Sequence, residues 1–194
     1  MDAYSSSRCT HLAGSAVEVE PDTRLDRLHQ ILQATMGWYG GHLHEFTVGR
    51  TSYGDTDPNV GMGDEVEDQR RMSLGKAAPA AKSKLSYQYD FGDSWEHELL
   101  VEKVLPADPA TAYPICVAGA RACPPEDCGG VWGYADLLEV IQNPDHPEHE
   151  ERLEWLGGEF DPEAFDLDAI NGRLKGFQSK PARATKKAGA AKQR

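Results

Sequence analysis

The chain has 194 residues, 39% of them hydrophobic and 27% charged, with a formal net charge of −12. That length suits one domain with tails. No apolar run approaches the roughly 20 residues needed to span a bilayer, and the opening MDAYSSSRCTHLAGSAVEVE lacks the apolar centre of a secretory signal. The expectation is a cytoplasmic protein without a membrane partner, whose acidic body repels nucleic acid at long range.

Residues 1–15 carry no periodicity and read as a disordered or atypical N-terminus ahead of a domain over 16–177. Val17 to Val19 reads as the end of a strand. Pro21-Asp22-Thr23 is a helix start in which Asp22 or Thr23 can cap. Leu25, Leu28, Ile31, Leu32 and Met36 then form one apolar stripe, closed near Gly37. His42 to Gly49 alternates as a strand, and Tyr53 to Gln69 reads as an acidic loop. Met72 to Lys84, rich in alanine, is a short helix or a linker. Lys84 to Asp90 alternates with Leu85, Tyr87 and Tyr89 on one face, Phe91-Gly92-Asp93 turns, and Trp95 to Leu105 returns as the second arm of a hairpin.

Tyr113 to Val117 is a short strand entering CVAGARACPPEDCGG, a segment stiffened by two prolines and then freed by two glycines. Beyond Gly130 the period becomes helical. Tyr134, Leu137, Leu138 and Ile141 share a face that ends near Asn143-Pro144. Pro147 to Trp155, with Leu153 inward, makes a second helix, and Phe165, Leu167, Ile170 and Leu174 mark a third. The tail, 178–194, is low in apolar residues and is expected to be disordered. The whole predicts an α+β fold: a mixed or antiparallel sheet with one helix packed on a face and a C-terminal group of short helices. The arrangement is compatible with a β-grasp.

Several groups of residues could carry chemistry. Cys116, Cys123 and Cys128 are clustered thiols suited to zinc, with a fourth ligand to come from His42, His44, His97, His146 or His149. Their spacing is not a CxxC knuckle, and reduced cysteines packed beneath a tight loop are the alternative. Asp90, Asp93 and His97 could bind a hard or borderline cation or act as an acid–base pair. Two aspartates around a glycine also serve a hairpin turn. His42 and His44, two apart in a strand, share a face and could grip a metal together, or form a polar or core face instead. His146 and His149 belong to a solvated helix start. Lys180, Arg183, Lys186, Lys187, Lys192 and Arg194 could hold nucleic-acid phosphates without reading sequence. These readings depend on the cysteine bend and the hairpin tip lying side by side and forming a common polar hollow. Walker-type glycine loops, GxSxG elbows and HExxH helices are absent.

The segments TRLDRLHQILQATMGWYGGHLHEF, YQYDFGDSWEHELLVEKV and CVAGARACPPEDCGGVWGYADLLEVIQNPDHPEH, followed by FDPEAFDLDAINGRL, resemble the root-inducing-plasmid ORF-three-like family. Its members are also labelled insertion-sequence passenger proteins of TnpR type. The resemblance implies a compact α+β domain of plasmids, transposons and bacterial chromosomes, with no established activity. A TnpR label would imply a site-specific resolvase. The residues do not support that, because Ser94 sits between acids instead of among the arginines that would neutralise a scissile phosphate. Residues 1–15 also lack the Pro-x-x-Trp-Arg-Arg-like opening strand of the family. The function expected is a non-enzymatic interaction or accessory module of mobile-element origin. A metal-dependent hydrolase and a structural zinc domain are the alternatives.

Overall fold

The computed structural model describes residues 2–5, 14–57 and 66–178. The basic side chains proposed for nucleic-acid contact, Lys180 to Arg194, lie outside the described residues. The centre of the fold is the anticipated hairpin, β6 (Lys84–Tyr89) and β7 (Trp95–Leu100), paired antiparallel with Tyr87 opposite His97. β3 (His44–Val48) flanks β6. Among the described residues the sheet has eight strands in the order β5 (Glu67–Asp68), β4 (Thr51–Gly54), β3, β6, β7, β1 (Asp2–Ser5), β2 (Gly14–Glu18) and β8 (Ile115–Ala120), all antiparallel except the β4–β5 pair.

Two parts of this sheet depart from the sequence expectation. β1 (Asp2–Ser5) inserts between β7 and β2 (Gly14–Glu18), so the opening residues contribute a strand. Four residues are too few to register an alternation. The open backbone groups of β7 and β2 recruit them whatever the side chains are. The acidic loop expected from Tyr53 to Gln69 is overlapped at its start by β4 (Thr51–Gly54) and contains β5 (Glu67–Asp68). Val48 faces Thr51 across the two-residue turn Gly49-Arg50, with Gly49 at φ 64, a left-handed angle that such hairpin turns require.

One face of the sheet is apolar and covered. Leu85, Tyr87 and Tyr89 on β6, and Trp95, His97 and Leu99 on β7, are buried there; Lys84, Glu96 and Glu98 point to the other, solvated face. α1 (Leu25–Met36) lays Leu25, Leu28 and Leu32 onto this core. Its start differs from expectation. Arg24 is the N-cap and no side chain caps it. Instead the chain at 72–74 does so through the backbone: the Leu25 amide donates to Met72 O (3.0 Å) and the Leu74 amide to Thr23 O (2.8 Å). α1 ends at Gly37, φ 81, whose amide returns to Gln33 O.

The alanine-rich stretch forms a single helical turn, α2 (Leu74–Ala77). β8 (Ile115–Ala120) runs past the expected Val117. α3 (Gly130–Gln142) buries Tyr134, Leu137 and Leu138 in the main core, as its stripe predicts. α4 (His149–Leu156) buries nothing fully, so Leu153 is only half inward. α5 (Leu167–Leu174) closes the β8 edge on the same face as α1. Ile170 and Leu174 join Val17, Ile31 and Cys116 in a second small core. Asn171 accepts from the Cys116 amide and donates to its carbonyl, both at 2.9 Å, so α5 covers groups that an edge strand leaves open. Arg173 completes the join by donating to Ala34 O and Thr35 O at the negative end of α1. Among the described residues no helix is long and apolar enough to cross a membrane.

Candidate cation site and the loops that build it

The cysteine-bearing loop folds against the hairpin tip and the segment that follows α1. The Gly129 amide donates to Asp93 Oδ2 (3.1 Å), and the indole of Trp38 donates to Pro124 O (2.8 Å). Glu126 accepts from the Tyr39 amide (2.6 Å) and from the Tyr89 hydroxyl. These contacts need bare backbone. A Cβ on Gly130, φ 65, would lie 2.3 Å from Asp93 O, and one on Gly133 would lie 2.0 Å from Cys128 O. The glycines around the start of α3 therefore set how closely the loop and the tip approach.

At this junction three side chains converge. His42 Nε2 is 2.7 Å from Asp127 Oδ1, and His42 Nδ1 is 3.7 Å from Asp90 Oδ2. One ligand atom from each of His42, Asp90 and Asp127 lies within 4.8 Å of the others, and among the described residues this is the one such group of three. Asp90 divides its work. Oδ1 accepts from the Gly92 amide (2.9 Å), which is the turn-capping role its sequence suggests, and Oδ2 faces His42. His42 and Asp127 open to solvent. His42 also borders a polar groove of about 350 Å³ lined by His29, His44, Asp55, Gln69 and Arg70.

The other candidates go elsewhere. Asp93 holds the Gly129 amide and stays out of the group. His97 is buried on the covered face of β7 between Trp38 and Tyr87, and burial pushes its pKa down to about 4. The set Asp90, Asp93, His97 therefore does not assemble. A hairpin places His97 inside, on the face of its β6 partner Tyr87, while the turn carboxylates stay at the tip.

His42 and His44 also part company. β3 begins only at His44, and His42 lies in the irregular chain before it, free of the strand's alternation. His44 is buried and stacks face to face on His29, centroids 3.6 Å apart. Gln69 Oε1 accepts from His44 Nε2 (2.8 Å). The Tyr87 hydroxyl accepts from Gln33 Nε2 and donates to His29 Nδ1, both at 2.8 Å. Burial, reinforced by the neighbouring His44, pushes the His29 pKa down to about 3, and burial lowers that of His44. Both rings are therefore neutral at ordinary pH, His44 within the core and His29 half-buried at its edge.

The three thiols are not brought together. Cys116 points into the second core with Ile170 and Leu174, whereas Cys123 and Cys128 pack against the main core. Burial raises all three pKa values. Cys128 is pushed up to about 12, with nearby Asp93 adding to the effect. Among the described residues the three form no shared ligand group, and the packed-cysteine alternative describes them. His146 and His149 make local contacts only: His146 Nδ1 accepts from the Glu148 amide, and His149 Nδ1 bonds Val140 O. Sequence reasoning passed over Asp127. Its signal was modest, an acid pair held between two prolines and a glycine pair in PPEDCGG.

An eight-stranded sheet covered on one face by helices, with a His/Asp/Asp group at its loop junction, defines an α+β domain with a candidate cation site. The chain belongs to the plasmid pRiA4b ORF-3-like protein family, whose model matches residues 15–169. It is 40% identical over 162 residues to the uncharacterized protein y4hQ of Sinorhizobium fredii, covering 82% of each chain. It is also similar to the crystal structure of a protein of unknown function, MM3350 from Methanosarcina mazei Go1. That match has a TM-score of 0.74 at 34% identity, over 86% of this chain and 93% of the other.

Proposed function

We propose that this chain is a non-enzymatic accessory module that binds a divalent transition-metal cation at His42, Asp90 and Asp127, and that the cation pins the cysteine loop to the hairpin tip. The observation that carries this reading is the convergence of three ligand atoms from three separate loops within 4.8 Å. One imidazole and two carboxylates suit a borderline ion such as Zn²⁺ or Mn²⁺ better than the all-oxygen shell of Ca²⁺.

Calorimetric titration of the full, chelator-treated chain with ZnCl₂ and MnCl₂ tests it. His42→Ala and Asp127→Asn should each weaken binding by more than about tenfold, since even outer-shell partners of a metal are worth about 10–100-fold. Cys116→Ser should leave affinity unchanged. An absence of saturable heat in the wild type, or wild-type affinity in the two site variants, rejects the site. Turnover of bis-p-nitrophenyl phosphate by the metal-loaded protein, lost in Asp90→Asn, would replace the accessory reading with a hydrolase.

A second element rests on charge asymmetry. From Arg173 onward there are eight basic residues and no acids on an otherwise acidic chain. We assign to Lys180, Arg183, Lys186, Lys187, Lys192 and Arg194 a non-specific contact with nucleic-acid phosphates. Six such contacts on duplex DNA would give a slope of log K against log salt of about −5. Deleting residues 178–194 should abolish salt-sensitive binding in a mobility-shift titration, and unchanged binding removes the tail from the account.

A further inference from the structure

α3 packs Tyr134, Leu137 and Leu138 inward and turns Trp132, Asp136 and Glu139 outward, where helical spacing sets them on one stripe. Trp132 is 84% exposed. Tryptophan is highly buried on average, and its exposure is a mark of interaction surfaces, which are enriched in aromatic residues. The indole stands on a fixed base, because α3 starts at Gly130, whose backbone packs against the Asp93 carbonyl. Among the described residues, three of the four exposed aromatic side chains, Tyr39, Phe91 and Trp132, are carried by the segments that meet where the cysteine loop closes on the hairpin tip.

The fixed charge on these segments has one sign. No Lys or Arg occurs between Arg27 and Arg50, between Lys84 and Lys103, or between Arg121 and Arg152. The two arginines that bound the α3 stretch are held by acids, Arg121 by Glu163 (3.0 Å) and Arg152 by Glu148 (3.1 Å). Among the described residues Asp136 and Glu139 enter no ion pair. Glu139 lies in the last turn of α3, where the helix dipole also favours a cation. The group that both stacks on an indole and pairs with carboxylates is a guanidinium. We infer that this face of α3 docks an arginine-rich segment of a partner protein, with one guanidinium over Trp132 and others on Asp136 and Glu139. The chain's own tail is a poorer match, since beyond Gln178 it offers four lysines but only Arg183 and Arg194. The inference is independent of the cation site, none of whose ligands it uses.

Fluorescein-labelled octa-arginine and octa-lysine, equal in charge, are the probes. Fluorescence polarisation on the full chain in about 0.1 M salt, where surface charges still act over about 10 Å, is the readout. Octa-arginine should bind saturably and more tightly than octa-lysine. Trp132→Ala, a change at an exposed position that leaves the core untouched, should weaken octa-arginine by about two- to fivefold, the worth of an exposed cation–π contact, and remove its advantage over octa-lysine. Asp136→Asn with Glu139→Gln should weaken both peptides by about two- to tenfold. Glu96→Gln removes a carboxylate from the opposite, solvated face of the sheet and should leave both affinities unchanged. The inference fails if the wild type does not bind octa-arginine, or if its advantage over octa-lysine survives Trp132→Ala. It fails equally if Glu96→Gln weakens binding as much as the α3 substitutions, which would make the attraction one of net charge alone. If octa-arginine binds only after residues 178–194 are deleted, the tail is the occupant and the partner protein is rejected.

Discussion

Gly130→Ala is expected to destabilise the protein by about 3 kcal/mol, combining a left-handed backbone penalty with overpacking. Gly130 sits at φ 65, and an added Cβ would fall 2.3 Å from the Asp93 carbonyl. That oxygen is main chain, at a hairpin tip held by Asp90, so it cannot swing away as the end of a long side chain would. Relief requires the loop and the tip to part. The same movement carries Asp127 away from His42 and Asp90, so the variant should also bind Zn²⁺ more weakly than wild type. Gly172→Ala is the control. Nothing lies within 4 Å of its added Cβ in α5, and alanine is the better helix former there by up to about 1 kcal/mol. Urea unfolding of the two variants should move the midpoints in opposite directions. A Gly130→Ala midpoint equal to wild type would mean that the loop and the tip are not in the contact described.

Acid should unfold the protein through its buried and half-buried histidines. His97, with an ordinary value of 6.5, is pushed down to about 4 by burial alone. In the unfolded chain the ring takes a proton near pH 6.5, whereas in the native chain it does not until about pH 4. The unfolded state therefore binds more protons across that window, and stability falls as pH drops through it. The slope is about 1.4 kcal/mol per pH unit for one ring, or about 3 kcal/mol by pH 4. His29, pushed down to about 3, acts in the same direction and extends the loss to lower pH. A loss of this size is a large share of the ~5–15 kcal/mol of a typical domain. His97→Phe keeps an aromatic ring between Trp38 and Tyr87 and removes the titration. Its unfolding free energy, measured between pH 7 and pH 4.5, should fall less steeply than that of wild type. Parallel pH profiles for the two proteins would contradict the buried, neutral His97.

The cation site and an apolar cavity between α1 and β7 share a wall. Cys123 and Pro124 line the apolar cavity, and Glu126 and Asp127, two and three residues on, face Tyr89 and His42. The Trp38–Pro124 hydrogen bond anchors this loop between them. The prolines keep the segment stiff, so the same few residues shape an apolar surface on one side and a polar one on the other.

Local periodicity determined much of this fold without reference to anything distant. The α1 stripe, the alternation of Leu85, Tyr87 and Tyr89, the hairpin around Phe91-Gly92-Asp93 and the α3 face all record which side of an element avoids water, and each lies where its residues place it. The tertiary structure alone decided the chemistry. His42 and Asp127 are 85 residues apart and meet only because bare glycines let the cysteine loop close on the hairpin tip. Packing also sent Cys116 into one core and Cys123 and Cys128 to another, and turned His97 away from the aspartates beside it in the chain. A periodic pattern encodes the direction a side chain takes from its own backbone. Which distant side chain it meets is set by how the layers stack and how the loops close, and no single segment contains that information.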